Sequence, residues 1–219
     1  MENFSWRFAI KTNLITIFTI FAFSVSANAE WKLISERNNI KVYEKTNHKS
    51  EIIPLMAEAI VDYNVKQVVE VLGDTAKKKE WMPALHSART VKQKSYWDRI
   101  EYSRSLVPWP FSDRDFVYHA KVEVLDNGKR YLAHMKSVEG VIPKVDGVVR
   151  AKMLDGTMDL KYVNESQTYI KMNFYSDPKG FLPRWLANWA QKTWPEDMIK
   201  AMRAQLSKIF PKMNSTQNK

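Results

Sequence analysis

Residues 180–202 read GFLPRWLANWAQKTWPEDMIKAM and place three tryptophans, Trp185, Trp189 and Trp194, on a segment patterned as helix. Leu182, Trp185, Leu186 and Trp189 share one face at helical spacing. Beyond Pro195 an apolar stripe continues through Ile199, Met202, Leu206 and Ile209, while Lys200, Arg203 and Lys208 lie away from it. Thr193 and Glu196 have capping-box spacing, so the pattern predicts a long helix that breaks and restarts near Pro195. Everything upstream must supply the surface on which this helix packs.

That surface reads mainly as strand. Ile40–Glu44 and Pro54–Val61 look like two strands. Asn64 then caps a helix with an apolar stripe at Val65, Val68, Val69 and Leu72, ended by Gly73. AKKKEWM (76–82) reads as a second, short helix. In SYWDRIEYSRSL (95–106) Ile100, Tyr102, Arg104 and Leu106 fall on one face, and Arg99, Glu101, Ser103 and Ser105 on the other. The first face has the larger apolar residues and is expected to point inward. Phe116, Tyr118, Ala120, Val122 and Val124 alternate in the next run, and DNG (126–128) marks a hairpin turn. Residues 129–138, 148–154, 157–163 and 168–176 read as further strands, separated by turn residues that include Asp155-Gly156. The order is two strands, two short helices, about six antiparallel strands and a long helix. An α+β fold follows. A sheet with one apolar face must be covered, and only one long helix is available. A strongly curved antiparallel sheet wrapped around the C-terminal helix satisfies this, with space between them for side chains or a ligand.

The chain opens with Arg7 and Lys11, an apolar run from Leu14 to Val25, and Ala27-Asn28-Ala29. That is the layout of a secretory signal cleaved after Ala29. The run is far shorter than the roughly 20 residues that span a bilayer. The expected organisation is a signal peptide at 1–29, one domain at 30–210 and a disordered tail at 211–219. The expected address is the periplasm or the exterior. The chain has no cysteine, which excludes disulfides, a thiol nucleophile and sulfur-ligated zinc. Its net charge of +10 makes an anionic membrane surface the nearest opposite charge for an exported protein. The basic run AKKKEWMPALHSARTVKQK (76–94) holds one tryptophan and no stacking ladder, which argues against a nucleic-acid partner.

Catalytic constellations are missing. His48, His86, His119 and His134 have no metal-pair spacing, and G-x-S-x-G, P-loop and G-x-G-x-x-G motifs are absent. No metal or cofactor is expected.

VPWPFSDRDFVYHAKV (107–122), KKKEWMPAL (77–85) and the opening stretch resemble, in this order, segments of the START family of lipid-transfer domains. The likeness is closest to its phosphatidylcholine-transfer members, and order and spacing agree from about Trp31 to Leu206. The resemblance implies a helix-grip fold with an internal hydrophobic tunnel for one lipid and no reaction of its own. Lys78 stands where the phosphatidylcholine carriers place a phosphate-binding arginine, and Leu72 where they place an aromatic residue. Arg104 is a second candidate for an anionic headgroup. A cyclase-like enzyme acting on a hydrophobic small molecule is the alternative on a related fold.

The expected tunnel lining is Trp81, Tyr102, Phe116, Tyr118, Met172 and Phe174, with Trp185 and Trp189 closing the floor. Trp194 falls off the helical stripe and is expected at a membrane interface. The loop at 137–147, which holds Gly140 and Gly147, carries Val138, Val141, Ile142, Pro143 and Val145 and is expected to be a mobile lid. The expected partners are a lipid and, transiently, an anionic membrane, with the protein a monomer.

Overall fold

A computed structural model describes residues 30–48 and 51–212. The expected leader at 1–29 and all but the first two residues of the tail lie outside the described residues.

The chain begins with strands β1 (Trp31–Arg37), β2 (Ile40–Lys45) and β3 (Leu55–Val61), followed by helix α1 (Val65–Gly73) and a single helical turn at Lys78–Glu80. Then come β4 (Leu85–Ser95), β5 (Asp98–Ser105), β6 (Arg114–Leu125), β7 (Arg130–Ser137), β8 (Val149–Arg150), β9 (Lys152–Asn164) and β10 (Gln167–Asp177), and helix α2 (Arg184–Ile209) closes the domain. The strands form one sheet in the order β1-β2-β3-β10-β9-β7-β6-β5-β4. All these neighbours pair antiparallel; only the two-residue β8 runs parallel, beside the start of β6. The sheet curves around α2, as expected.

Local chemistry explains the elements. Asn64 caps α1: its side chain accepts from the Lys66 amide, and its own amide donates to the Gln67 side-chain oxygen. Val65, Val68 and Val71 bury one face of α1. The second half of α2 supplies Met198, Ile199, Met202 and Leu206, all fully buried. They pack with α1, Ile40, Val42, Ala57, Ile170 and Met172 into the main core. Burying each such side chain contributes about 1.5–3 kcal/mol.

The structure departs from the sequence reading in three places. First, β1 and β4 are strands that the reading lacks. β4 is an edge strand, HSARTVKQK is wet on both faces, and its lysines blur the alternation. Second, Asp155-Gly156 is no turn; β9 runs through it. A Cβ on Gly156 would lie 2.9 Å from the Met153 sulfur and 3.3 Å from Met135, so the glycine is there for close packing. Third, α2 does not restart at Pro195 but passes through it. Thr193 donates back to the Trp189 carbonyl, and Glu196 pairs with Lys200 and Asn38, so no capping box forms.

Candidate functional site

The first half of α2 does not close down on the sheet. It presents Leu182, Ala187, Ala190 and Trp194 to the interior, and the two alanines leave room. A cavity of about 380 Å³ results, within the size range of small-molecule pockets. The strands line it with alternate residues. Phe116, Tyr118, Ala120 and Val122 come from β6; Tyr131, Ala133 and Met135 from β7; Met158 and Leu160 from β9; and Phe174 from β10. Leu72, Tyr96 and Trp97 line the end near α1, and Leu106, Val107 and Pro178 the opposite end.

One polar group interrupts this apolar wall. Glu101 is fully buried and lies opposite Tyr118 in the β5–β6 register. It accepts from Thr75 Oγ1 at 2.7 Å, Lys78 Nζ at 2.9 Å and Tyr118 OH at 2.8 Å, and pairs with Arg99 Nε at 2.6 Å. Burial alone would raise its pKa, but the charges of Lys78 and Arg99, with the Lys78 and Thr75 hydrogen bonds, bring it down to about 2. Burial, and Glu101 beside it, push the Tyr118 hydroxyl well above its ordinary value. It therefore stays a neutral donor.

The end beside Leu106 is built from two loops, 106–113 and 178–183. Arg114 holds them together. Its buried guanidinium donates to the carbonyls of Ser112, Pro178, Lys179 and Phe181. Asp113 braces the first loop by accepting from Arg104 and the Val107 amide. Phe111 and Phe181 meet with ring centroids 6.2 Å apart. Around this end the surface is aromatic: Trp109 is 92 % exposed, Phe181 83 %, Trp185 70 % and Trp189 57 %. Among the described residues no group of three or more acidic or histidine side chains is placed to hold a metal.

The sequence profile of the START domain matches residues 24–209. The chain belongs to the START family. Mouse phosphatidylcholine transfer protein is 25 % identical over 185 residues, which cover 79 % of this chain and 84 % of the mouse protein. An uncharacterised Pseudomonas aeruginosa protein is 26 % identical over 197 residues, 89 % and 96 % of the two chains. The crystal structure of a STAR-related lipid transfer protein from Xanthomonas axonopodis superposes with a TM-score of 0.71 at 26 % identity. It covers 81 % of this chain and 98 % of that fragment. Lipid binding and transfer is the activity these relatives support.

Within this START cavity the expected residues divide. Lys78, Phe116, Tyr118 and Phe174 line the wall. Tyr102 and Arg104 do not, because the inward face of β5 is the polar one, with Arg99, Glu101, Ser103 and Ser105. Tyr102 packs under Arg89, whose guanidinium lies 5.1 Å from its ring centroid. Arg104 pairs with Asp113. Met172 points inward but into the solid core, and Trp81 packs against that core beside α1. Trp185 and Trp189 face outward, and the ring expected to be exposed, Trp194, lines the cavity edge-on to Phe174 at 4.8 Å. Val138, Val141, Ile142, Pro143 and Val145 form no part of the wall. Across their loop Arg150 donates to the Pro143 carbonyl and Lys152 to Glu139.

The reversal of the tryptophans is measurable. By chemical denaturation Trp194→Ala should destabilise by about 2 kcal/mol, roughly half the value for a fully buried tryptophan. Trp189→Ala should stay within about 0.5 kcal/mol of the parent. Equal losses would mean that Trp194 does not pack as described.

Proposed function

We propose that this START domain takes one lipid or similar hydrophobic molecule into the cavity and carries it, as a monomer, between membranes of the periplasm. The observation that carries this reading is an apolar cavity kept open under the alanine face of α2, with exposed aromatic rings at one end. Burial of an acyl chain is worth about 0.8 kcal/mol per CH₂, which a bilayer supplies equally. A carrier therefore has to match the membrane and provide a way in and out. Trp109, Phe181, Trp185 and Trp189 suit the membrane side of that exchange, since tryptophan satisfies both its apolar body and its N–H at an interface. The net charge of +10 favours anionic bilayers. The periplasmic address rests on the leader-like residues 1–29.

The cyclase-like alternative needs a titratable group free to act in the cavity. Glu101 is there, but three hydrogen-bond donors and the Arg99 ion pair occupy its oxygens, and its pKa of about 2 leaves little basicity. Non-catalytic carriage is the better reading, and it requires no cofactor.

Filling the cavity tests it. Ala190→Trp places a large ring in the space without touching the packed half of α2. Protein purified from the periplasm and extracted for lipid should show bound lipid in the parent and little in the variant, with transfer between vesicles lost in parallel. Full transfer by a folded Ala190→Trp protein would refute carriage through this cavity.

A further inference from the structure

The charged groups lining the cavity do not balance. They are Lys78, Arg99, Glu101 and Arg114, three cations and one carboxylate. Arg114 lies at the loop end, where four carbonyl oxygens receive its guanidinium. That leaves Lys78 and Arg99 sharing Glu101. Their side chains are only 12 %, 13 % and 1 % exposed, in the order Lys78, Arg99, Glu101. Among the described residues Glu101 is the sole anionic partner of either cation: Lys78 donates one hydrogen bond to it and Arg99 forms an ion pair with it. Among the described residues no second carboxylate pairs with either cation. Glu101 itself has no acceptor to spare, because Thr75 and Tyr118 take the rest of its capacity.

A buried surplus of one positive charge in an apolar wall is unfavourable unless an anion meets it. We infer that the cavity selects acyl ligands with a headgroup of one net negative charge and disfavours zwitterionic headgroups of the choline type. This rests on the carrier reading above and narrows its ligand. An anionic phosphodiester or carboxylate oxygen beside Lys78 and Arg99 makes charge-assisted hydrogen bonds and neutralises the site. A choline headgroup brings the same anion together with a second cation. The ring of Tyr96, a natural seat for a cation, is already occupied by Arg99, whose guanidinium carbon lies 5.7 Å from the ring centroid. From Glu101 to Leu106 the strand spans roughly 17 Å, so a headgroup at the anchor leaves its chains running toward the aromatic end.

The test is competitive loading. Purified mature protein is incubated with vesicles of equal phosphatidylglycerol and phosphatidylcholine with matched chains, and bound lipid is read by native mass spectrometry. Phosphatidylglycerol should exceed phosphatidylcholine by about tenfold or more. Lys78→Met and Arg99→Met each neutralise the anchor and should bring the ratio toward one, whereas Lys78→Arg should keep it. A second arm adds oleate. Displacement of phosphatidylglycerol by oleate identifies a carboxylate ligand, and resistance identifies a phosphodiester; both uphold selection by charge. Equal loading of the two phospholipids, or a ratio unchanged in both Met variants, overturns the inference while leaving carriage intact. Failure to load lipid from any vesicle overturns the carrier reading instead.

Discussion

Glu101→Leu is expected to destabilise the protein by roughly 3–5 kcal/mol, the usual penalty for removing one partner of a buried ion pair. The change leaves Lys78 and Arg99 facing each other in an apolar wall with their carboxylate partner gone. Also replacing Lys78 and Arg99 by Met should recover much of the loss, since an apolar wall has no charge to solvate. The same carboxylate gives stability a defined pH dependence. Its pKa is lowered in the folded protein from an ordinary 4.5 to about 2. Its contribution is therefore complete above pH 4.5 and is lost as pH falls through 2. At 1.36 kcal/mol per pKa unit this amounts to about 3 kcal/mol. Urea unfolding between pH 7 and pH 2 reads it directly. A Glu101→Gln variant should lose stability at neutral pH and show a correspondingly shallower acid decline. If parent and variant decline in parallel, Glu101 is not the group responsible.

Removing both Trp109 and Phe181 is expected to abolish most membrane attachment. These rings stand 92 % and 83 % exposed and contribute almost nothing to folding, so their double replacement by Ser should leave stability within about 0.5 kcal/mol. If each inserts into a bilayer it contributes on the order of 1.5 kcal/mol of apolar burial, and the pair together about a hundredfold in vesicle affinity. Sedimentation with anionic vesicles measures the loss. The effect should persist at high salt, which weakens lysine-mediated attraction far more than aromatic insertion. Retention of full vesicle binding by the double variant would locate the membrane face elsewhere.

Much of this architecture was legible in the sequence because period and order are local properties. The alternation in β6, the capping by Asn64 and the single long helix after the strands are enough to give a curved sheet around α2. The START resemblance specified the cavity. Phase was less legible. β5 and β6 are joined by eight residues, so the register that sets Glu101 against Tyr118 is fixed by pairing and cannot be counted along the chain. Hydrophobicity pointed the wrong way: Ile100, Tyr102, Arg104 and Leu106 look more like an interior face than Arg99, Glu101, Ser103 and Ser105 do. A binding cavity inverts that rule, since its polar anchor must face inward. A signal was nonetheless present, opposite charges two apart on one strand face. The helix misled for the same reason. Ranking residues by size pointed Trp185 and Trp189 inward, whereas an open cavity requires the small side chains, Ala187 and Ala190, to face the sheet.

The division of α2 has a consequence for how cargo moves. Met198 to Leu206 bind that helix into the core and bear on the global unfolding free energy. In the first turns Leu186 is buried, but Trp185 and Trp189 are exposed and Ala187 and Ala190 line the cavity, so this half bears on it less. Proteins open locally where few buried contacts oppose it, at free energies well below that of global unfolding. On the carrier proposal, loading and release would draw on a shallow subglobal excursion of the first turns of α2, hinged on a stem that stays folded. Residues that tune residence time and residues that keep the domain folded are then different residues, and the first set is free to vary with the cargo.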